Sequence, residues 1–186
     1  EAANALLAMA ANNEPIQSQI HRTAGIAPLI ELLSKGTPAA QAAAIKSLWH
    51  LASSSESATA IEAAGGLPPM CSMLSSEDVQ AQELAAIVIS RLLKSNSSVT
   101  LTVAEVGGIV PLVNLLRHGS PAGQQQAACA IAEIGLTPAN RDLVADAGGI
   151  NALVALLTSN VVGTPETAGR ALAHLGGELA VEVGDV

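Results

Sequence analysis

Apolar and polar residues follow one another along this chain in a block of ten positions that occurs four times. Residues 107–116 read Gly-Gly-Ile-Val-Pro-Leu-Val-Asn-Leu-Leu, and related blocks occupy residues 24–33, 65–74 and 148–157. The second glycine of each block, or the only one in the first, falls at position 25, 66, 108 or 149, so the blocks recur at spacings of 41, 42 and 41 residues. Self-similarity at this period predicts a stacked array of helical repeats.

Each repeat is predicted to contain three helices. The first is a short segment that ends at the glycines, because glycine accepts the left-handed conformation that closes a helix. These segments are residues 20–23, 61–64, 103–106 and 144–147. The second helix has apolar residues at helical spacing, as at Ile109, Leu112, Val113 and Leu116, and proline lies near its start in the first three copies.

The third helix of each repeat opens with a side-chain oxygen, usually followed by proline, which is a helix-start signal. The predicted capping pairs are Thr37-Pro38, Asp78-Val79, Ser120-Pro121 and Thr164-Pro165. Three apolar columns then align between repeats, and they predict the face that fills the stack. These columns are Ala44/Ala85/Ala127/Ala168, Leu48/Ile89/Ile131/Leu172 and Leu51/Leu92/Ile134/Leu175. The polar segments 53–57 and 94–98 are predicted to be loops between repeats.

The unbroken period predicts a single domain over residues 1–186. Residues 1–12 are read as the last helix of a truncated repeat, and residues 178–186 as a C-terminal remnant. The full repeats are residues 13–53, 54–95, 96–136 and 137–177. The chain begins at Glu1, without a starting Met, inside a helical pattern, so we expect an excised fragment.

Composition narrows the class of protein. Aromatic residues make up 1% of the chain, which favours closely packed helices over sheets. A formal charge of −8 disfavours binding to a phosphate backbone, so no nucleic-acid partner is expected. Cys71 and Cys129 are widely separated, which fits a reducing compartment, and no signal sequence or membrane-length apolar run is present. We therefore expect no membrane insertion and an intracellular location, cytoplasmic, nuclear or both.

The motifs of catalytic and cofactor sites are missing. The sequence contains no phosphate loop, dinucleotide fingerprint, nucleophile elbow or His-Glu-x-x-His helix. His50 and His174 lie three repeats apart, too far to share a metal ion. The expectation is a protein that is not an enzyme and that needs no cofactor.

A three-helix unit of about 42 residues, with Gly-Gly-Ile-x-Pro-Leu-Val-x-Leu-Leu opening its second helix, resembles the armadillo repeat. The resemblance covers essentially the whole chain. It implies an all-α, right-handed superhelical solenoid whose third helices line a concave groove. In the peptide-binding relatives, an Asn on each third helix clamps the backbone of an extended peptide, and a Trp one turn earlier packs between its side chains.

This chain departs from that pattern at both positions. The clamp position holds Ala8, His50, Arg91, Glu133 and His174, and the position one turn earlier holds Asn4, Lys46, Ile87, Cys129 and Arg170. An Asn amide both donates and accepts hydrogen bonds, whereas Arg only donates and an ionised Glu only accepts. The eight positions of these two rows that lie in the four full repeats are predicted to form a partner-binding groove. They recognise a partner by a chemistry different from the Asn and Trp contacts of the peptide-binding relatives. The eight residues are Lys46, His50, Ile87, Arg91, Cys129, Glu133, Arg170 and His174.

Three functions are compatible with this groove. The first is a scaffold for protein–protein interaction that holds a peptide-like segment or a partner helix, acidic or mixed in charge, against Lys46, Arg91 and Arg170. The same residues could instead be solvated, with Arg91 and Glu133 as a weak exposed pair. The second is a divergent nuclear-import or cargo adaptor for basic peptides. The third is a structural unit that self-associates through the exposed ends of its repeat array.

Overall fold

Every element that the computed structural model describes is an α-helix, over residues 25–52 and 55–177. The described helices are α1 (Ile26–Lys35), α2 (Pro38–Leu51), α3 (Ser55–Ala63), α4 (Leu67–Met73), α5 (Val79–Ser95), α6 (Val99–Glu105), α7 (Ile109–His118), α8 (Pro121–Ile134), α9 (Pro138–Asp146), α10 (Gly149–Leu156) and α11 (Thr164–Gly176). The predicted helix at residues 1–12, the first-helix segment at 20–23 and the remnant at 178–186 lie outside the described residues.

In the three repeats that have a glycine pair, the two glycines have different structural roles, as Gly107 and Gly108 illustrate. Gly107 has a φ of +75°, and its left-handed conformation closes α6. Gly108 has no such conformation, but a Cβ on it would lie 2.7 Å from the Sγ of Cys71 and 2.8 Å from Val103 Cγ1. The second glycine therefore permits close packing of one repeat against the preceding one. Gly65 and Gly148 share the positive φ of Gly107.

Three of the four predicted caps form at the third helices. The side chains of Thr37, Asp78 and Ser120 accept hydrogen bonds from the backbone N–H groups of the first turns of α2, α5 and α8. The predicted cap at Thr164 is wrong. Gly163, with a φ of +83°, precedes α11 instead, and the hydroxyl of Thr164 turns into the interior.

The first helices are longer than the four-residue segments predicted from the sequence. Helix α3 begins at Ser55, so residues 55–57 are helical and not part of a loop, and Ser57 is buried. Helix α5 likewise extends to Ser95. The apolar pattern marks only the buried face of a helix, and polar residues on its solvated first turn leave no hydrophobic signal. Asn96 then starts α6 by accepting a hydrogen bond from Ser98 N–H at 3.0 Å.

The third helices α2, α5, α8 and α11 pack side by side in that order and form the centre of the stack. All four members of the predicted alanine column are fully buried, and the small side chain lets neighbouring helices approach closely. The other two columns are buried in the first three repeats, whereas Leu172 and Leu175 are only partly buried. Cys71, which aligns with Ile30, Val113 and Val154 of the other repeats, is buried, and burial raises the pKa of its thiol to about 11.

Measured by length and hydropathy, no single described helix could cross a membrane. The pair α6 and α7, bent by 86°, satisfies those two criteria only when both helices are taken together.

Candidate groove on the third helices

The eight predicted groove residues lie on the four consecutive third helices, two on each. We call the surface that they form the groove face. Its members are Lys46, His50, Ile87, Arg91, Cys129, Glu133, Arg170 and His174. Arg170 is exposed and the other seven are half-buried, so each retains some contact with solvent. Asn4 and Ala8, which continue the two rows toward the N-terminus, lie outside the described residues.

Arg91 links its own helix to the preceding one. Its Nη1 donates a hydrogen bond to the carbonyl oxygen of Trp49 at 3.0 Å, and its guanidinium carbon lies 5.2 Å from the centre of the Trp49 ring. Trp49 is in the last turn of α2, where carbonyl groups have no partner within the helix. Arg91 therefore caps α2 and also makes a cation–π contact.

His174 repeats this arrangement two repeats further along. Its Nδ1 lies 2.7 Å from the carbonyl oxygen of Ala132, in the last turn of α8. Because a carbonyl oxygen can only accept, Nδ1 of His174 is the donor in this hydrogen bond. At the clamp position, Arg91 and His174 thus bind the end of the preceding third helix, at a sequence separation of 42 residues in both cases.

The row one turn earlier has fewer such contacts. Arg170 Nη2 lies 3.8 Å from the Sγ of Cys129, a weak interaction between α11 and α8. Further toward the helix starts, Ser120 donates to the carboxylate of Glu83, and Gln125 Nε2 donates to Val162 O at 3.4 Å. These hydrogen bonds connect α5 and α8 to the residues that immediately precede the next third helix.

The charge of the groove face is mainly positive. Lys46, Arg91 and Arg170 are cationic, and Glu133 is the one acidic member of the set. Burial lowers the pKa of His50 below its ordinary value of 6.5, and the nearby positive charge of Arg91 lowers it further. The imidazole of His50, whose ring centre lies 4.6 Å from that of Trp49, is therefore mostly neutral at pH 7.

Trp49 is the residue at this site that the sequence patterns did not assign to it. Its indole packs against the core, and its Nε1 is buried without a hydrogen-bond partner among the described residues. The one available signal is positional, because Trp49 precedes the clamp position and Arg91 follows 42 residues later.

Three clefts of about 370, 390 and 410 Å³ lie elsewhere, where second helices turn into third helices. Each is lined by one glutamine of an aligned column, Gln41, Gln82 or Gln124, whose side-chain amide donates to a carbonyl near the end of the second helix. No groove-face residue lines these clefts. Within the described part of the chain, no group of three His, Cys, Asp or Glu residues could hold a metal ion.

Comparisons with known proteins agree with this architecture. The family model of the Armadillo/beta-catenin-like repeat matches residues 95–135 and 137–176. An engineered protein of known structure is 31% identical over 94% of this chain and 71% of its own length, with a TM-score of 0.86. No curated protein gives a significant match in a sequence search.

Two designed proteins show the same fold at 23% identity. One is a designed armadillo repeat protein in complex with a peptide of four Lys-Arg units, with a TM-score of 0.85 over 93% of this chain and 73% of its own. The other is a computationally designed armadillo repeat protein for modular peptide recognition, with a TM-score of 0.88 over 93% and 74%. The predicted all-α, right-handed solenoid is confirmed.

Proposed function

Because this chain belongs to the armadillo repeat family, we propose that it is a protein-interaction scaffold whose groove face holds a peptide-like segment of a partner protein. The observation that carries this proposal is the groove face itself. Two partly solvated groove-face side chains lie on each of four third helices, and these helices pack side by side in chain order. Glu133 is the one acidic residue of the set. Such a surface suits an extended ligand that lies across several helices. We propose no catalytic role for it.

The related structures support a peptide ligand. One designed armadillo protein is described in complex with a peptide, and another is described as designed for modular peptide recognition. The three clefts described above lie away from the groove face, at the turns between second and third helices. A long surface without a deep cavity fits an extended segment better than a small metabolite.

The row Lys46, Ile87, Cys129 and Arg170 supports a more specific ligand. Neighbouring packed helices lie ~10 Å apart, so Lys46 and Arg170 are separated by ~30 Å, which an extended chain crosses in ~9 residues. The preferred segment then has acidic residues near both ends and apolar residues between them, roughly three positions apart. The acids face Lys46 and Arg170, and the apolar side chains face Ile87 and Cys129.

Arg91 has a smaller part in this proposal. Its guanidinium already donates to Trp49 O and contacts the Trp49 ring, so its substitution would alter the helix stack as well as the groove. Lys46 and Arg170 are the better residues for testing charge recognition, because changes there leave this Trp49 contact in place.

The test is a binding screen of acidic and basic decapeptide libraries at low and high salt. We expect acidic peptides with apolar centres to bind, and the double variant Lys46→Glu/Arg170→Glu to weaken their binding at least ~10-fold, equivalent to ~1.4 kcal/mol. Raising the salt concentration should weaken binding to the unaltered protein more than to this variant. Lys35→Glu makes the same change of charge on α1, where exposed Lys35 pairs with Glu31 at 3.3 Å, away from the groove face, and should leave affinity unchanged.

A second candidate is recognition of a basic segment, as in an import or cargo adaptor. The formal charge of −8 favours attraction of basic chains over long distances, and the peptide described with one designed relative is basic. Tight binding of basic decapeptides, strengthened by the double variant, would replace the acidic-segment proposal with this one. If no library binds, the scaffold function on the groove face is refuted.

A further inference from the structure

The charges of the groove face are distributed unevenly along its length. Its members on α2 and α5, the α2–α5 half, include Lys46 and Arg91 and no acidic residue. Its members on α8 and α11, the α8–α11 half, include Arg170 and also Glu133. Each half contains one histidine, so the histidines do not create the difference. The α2–α5 half is therefore the more positive of the two.

The next row of side chains, one turn nearer the starts of the third helices, preserves this difference. The row consists of Ala42, Glu83, Gln125 and Glu166. The carboxylate of Glu83 on α5 already accepts a hydrogen bond from Ser120, whereas Glu166 is exposed on α11, one turn before Arg170. Each half gains one acidic residue from this row, so the α2–α5 half remains the more positive.

Glu133 has no cationic partner among the described residues. The ion pair that these residues form is Lys35 with Glu31, on α1. The guanidinium of Arg170, on the next third helix, contacts Cys129 Sγ at 3.8 Å. Glu133 is half-buried on the groove face, and partial burial strengthens the attraction between its carboxylate and a cation brought by a ligand.

We propose that the groove face recognises the order of charges in its partner segment, with an acidic stretch over α2 and α5 and a basic residue against Glu133. This inference rests on the proposed function and makes Glu133 a specificity-determining residue. Lys46 and Glu133 are two helix spacings apart, ~20 Å, which an extended chain crosses in ~6 residues. The preferred segment therefore has its acids in one half, then a lysine or arginine, then the acid that faces Arg170.

The total charge of the protein does not produce this order. A formal charge of −8 attracts any lysine over long distances, wherever the lysine lies in the segment. A carboxylate placed against Glu133 is opposed by like-charge repulsion, whereas the same carboxylate over the α2–α5 half is attracted. A preference for lysine at one position therefore depends on the side chain at position 133.

The first experiment is a double-mutant cycle measured by isothermal titration calorimetry with the whole chain. Two decapeptides of the preferred order differ only in having lysine or glutamine opposite Glu133. We expect the lysine peptide to bind at least ~3-fold more tightly, and Glu133→Gln to bring the ratio of the two affinities to about one. Glu105→Gln is the matched control, because Glu105 is exposed on α6 and loses the same charge, so this variant should keep the ratio.

The second experiment measures the orientation of the bound segment. Trp49 is the one aromatic residue of the chain, so intrinsic fluorescence reports on the α2–α5 half. A nitroxide, which quenches at short range, should quench Trp49 when it is attached to the acidic end of the peptide and much less when attached to the lysine end.

The outcomes separate this inference from the proposed function. Equal quenching from both ends overturns the charge order and leaves the scaffold proposal in place. A lysine preference that survives Glu133→Gln does the same, as does tighter binding of a peptide with glutamate opposite position 133. Absence of binding by every peptide refutes the scaffold proposal, and the charge order is refuted with it.

Discussion

His50 is the residue whose environment gives the clearest solution signature. Burial and the Arg91 charge lower its pKa from 6.5 in the folded chain, so the unfolded chain binds the proton at a higher pH. The contribution of His50 to the free energy of unfolding therefore decreases as the pH falls from about 6.5 to its folded-state pKa. We expect a histidine titration followed by NMR to place the His50 midpoint below 6.5.

The Arg91→Gln variant separates the two causes. Removing the guanidinium charge should raise the pKa of His50, while burial should still hold it below 6.5. Lys94→Gln removes one positive charge from an exposed position of the same helix, and it should move the midpoint less. A His50 midpoint at or above 6.5 in the unaltered protein would contradict the placement of the ring beside Trp49 and Arg91.

Residue-level prediction succeeded where the repeats agree. The second glycines and the alanine column were assigned by alignment of the copies, and the structure buries the alanine column as expected. Prediction failed at Thr164, where a capping pattern was present but Gly163 takes the position before the helix. The Arg91–Trp49 contact was also missed, since periodicity identifies a position but not the direction in which a long side chain turns.

At the scale of single helices, two leucines of one aligned column test how much packing within the stack contributes to the free energy of unfolding. Leu48 of α2 is fully buried, and Leu172 of α11 is its partly buried counterpart. Leu48→Ala should lower the free energy of unfolding by about 2–5 kcal/mol, because it removes buried contacts and leaves a cavity. Leu172→Ala should cost clearly less, about 1 kcal/mol, because part of that side chain already contacts water.

Urea unfolding followed by circular dichroism measures both variants. The two substitutions delete the same atoms from helices with the same place in the repeat, so their difference reports the neighbouring packing. Equal costs would mean that the fourth repeat is packed as tightly as the first, contrary to the exposure of Leu172. The measurement should be made at low protein concentration, where self-association does not contribute.

The helix boundaries show which part of an element can be predicted from its sequence. Starts marked by Thr37, Asp78 and Ser120 were correct, because a capping oxygen is a local signal. The start of α3 at Ser55 was missed, because serine-rich turns have low hydrophobicity and look like loops. Such a helix forms because its later residues, Ala58 and Ile61, are buried against the stack.

For the whole molecule, a repeat array predicts graded stability, since each repeat contacts only its neighbours. Helices α5 and α8 pack against third helices on both sides, whereas α11 packs against α8 alone among the described third helices. We therefore expect native-state hydrogen exchange of monomeric protein to be slowest in α5 and α8 and faster in α10 and α11. Uniform protection of α5 and α11 in the monomer would contradict the nearest-neighbour account and indicate a single cooperative unit.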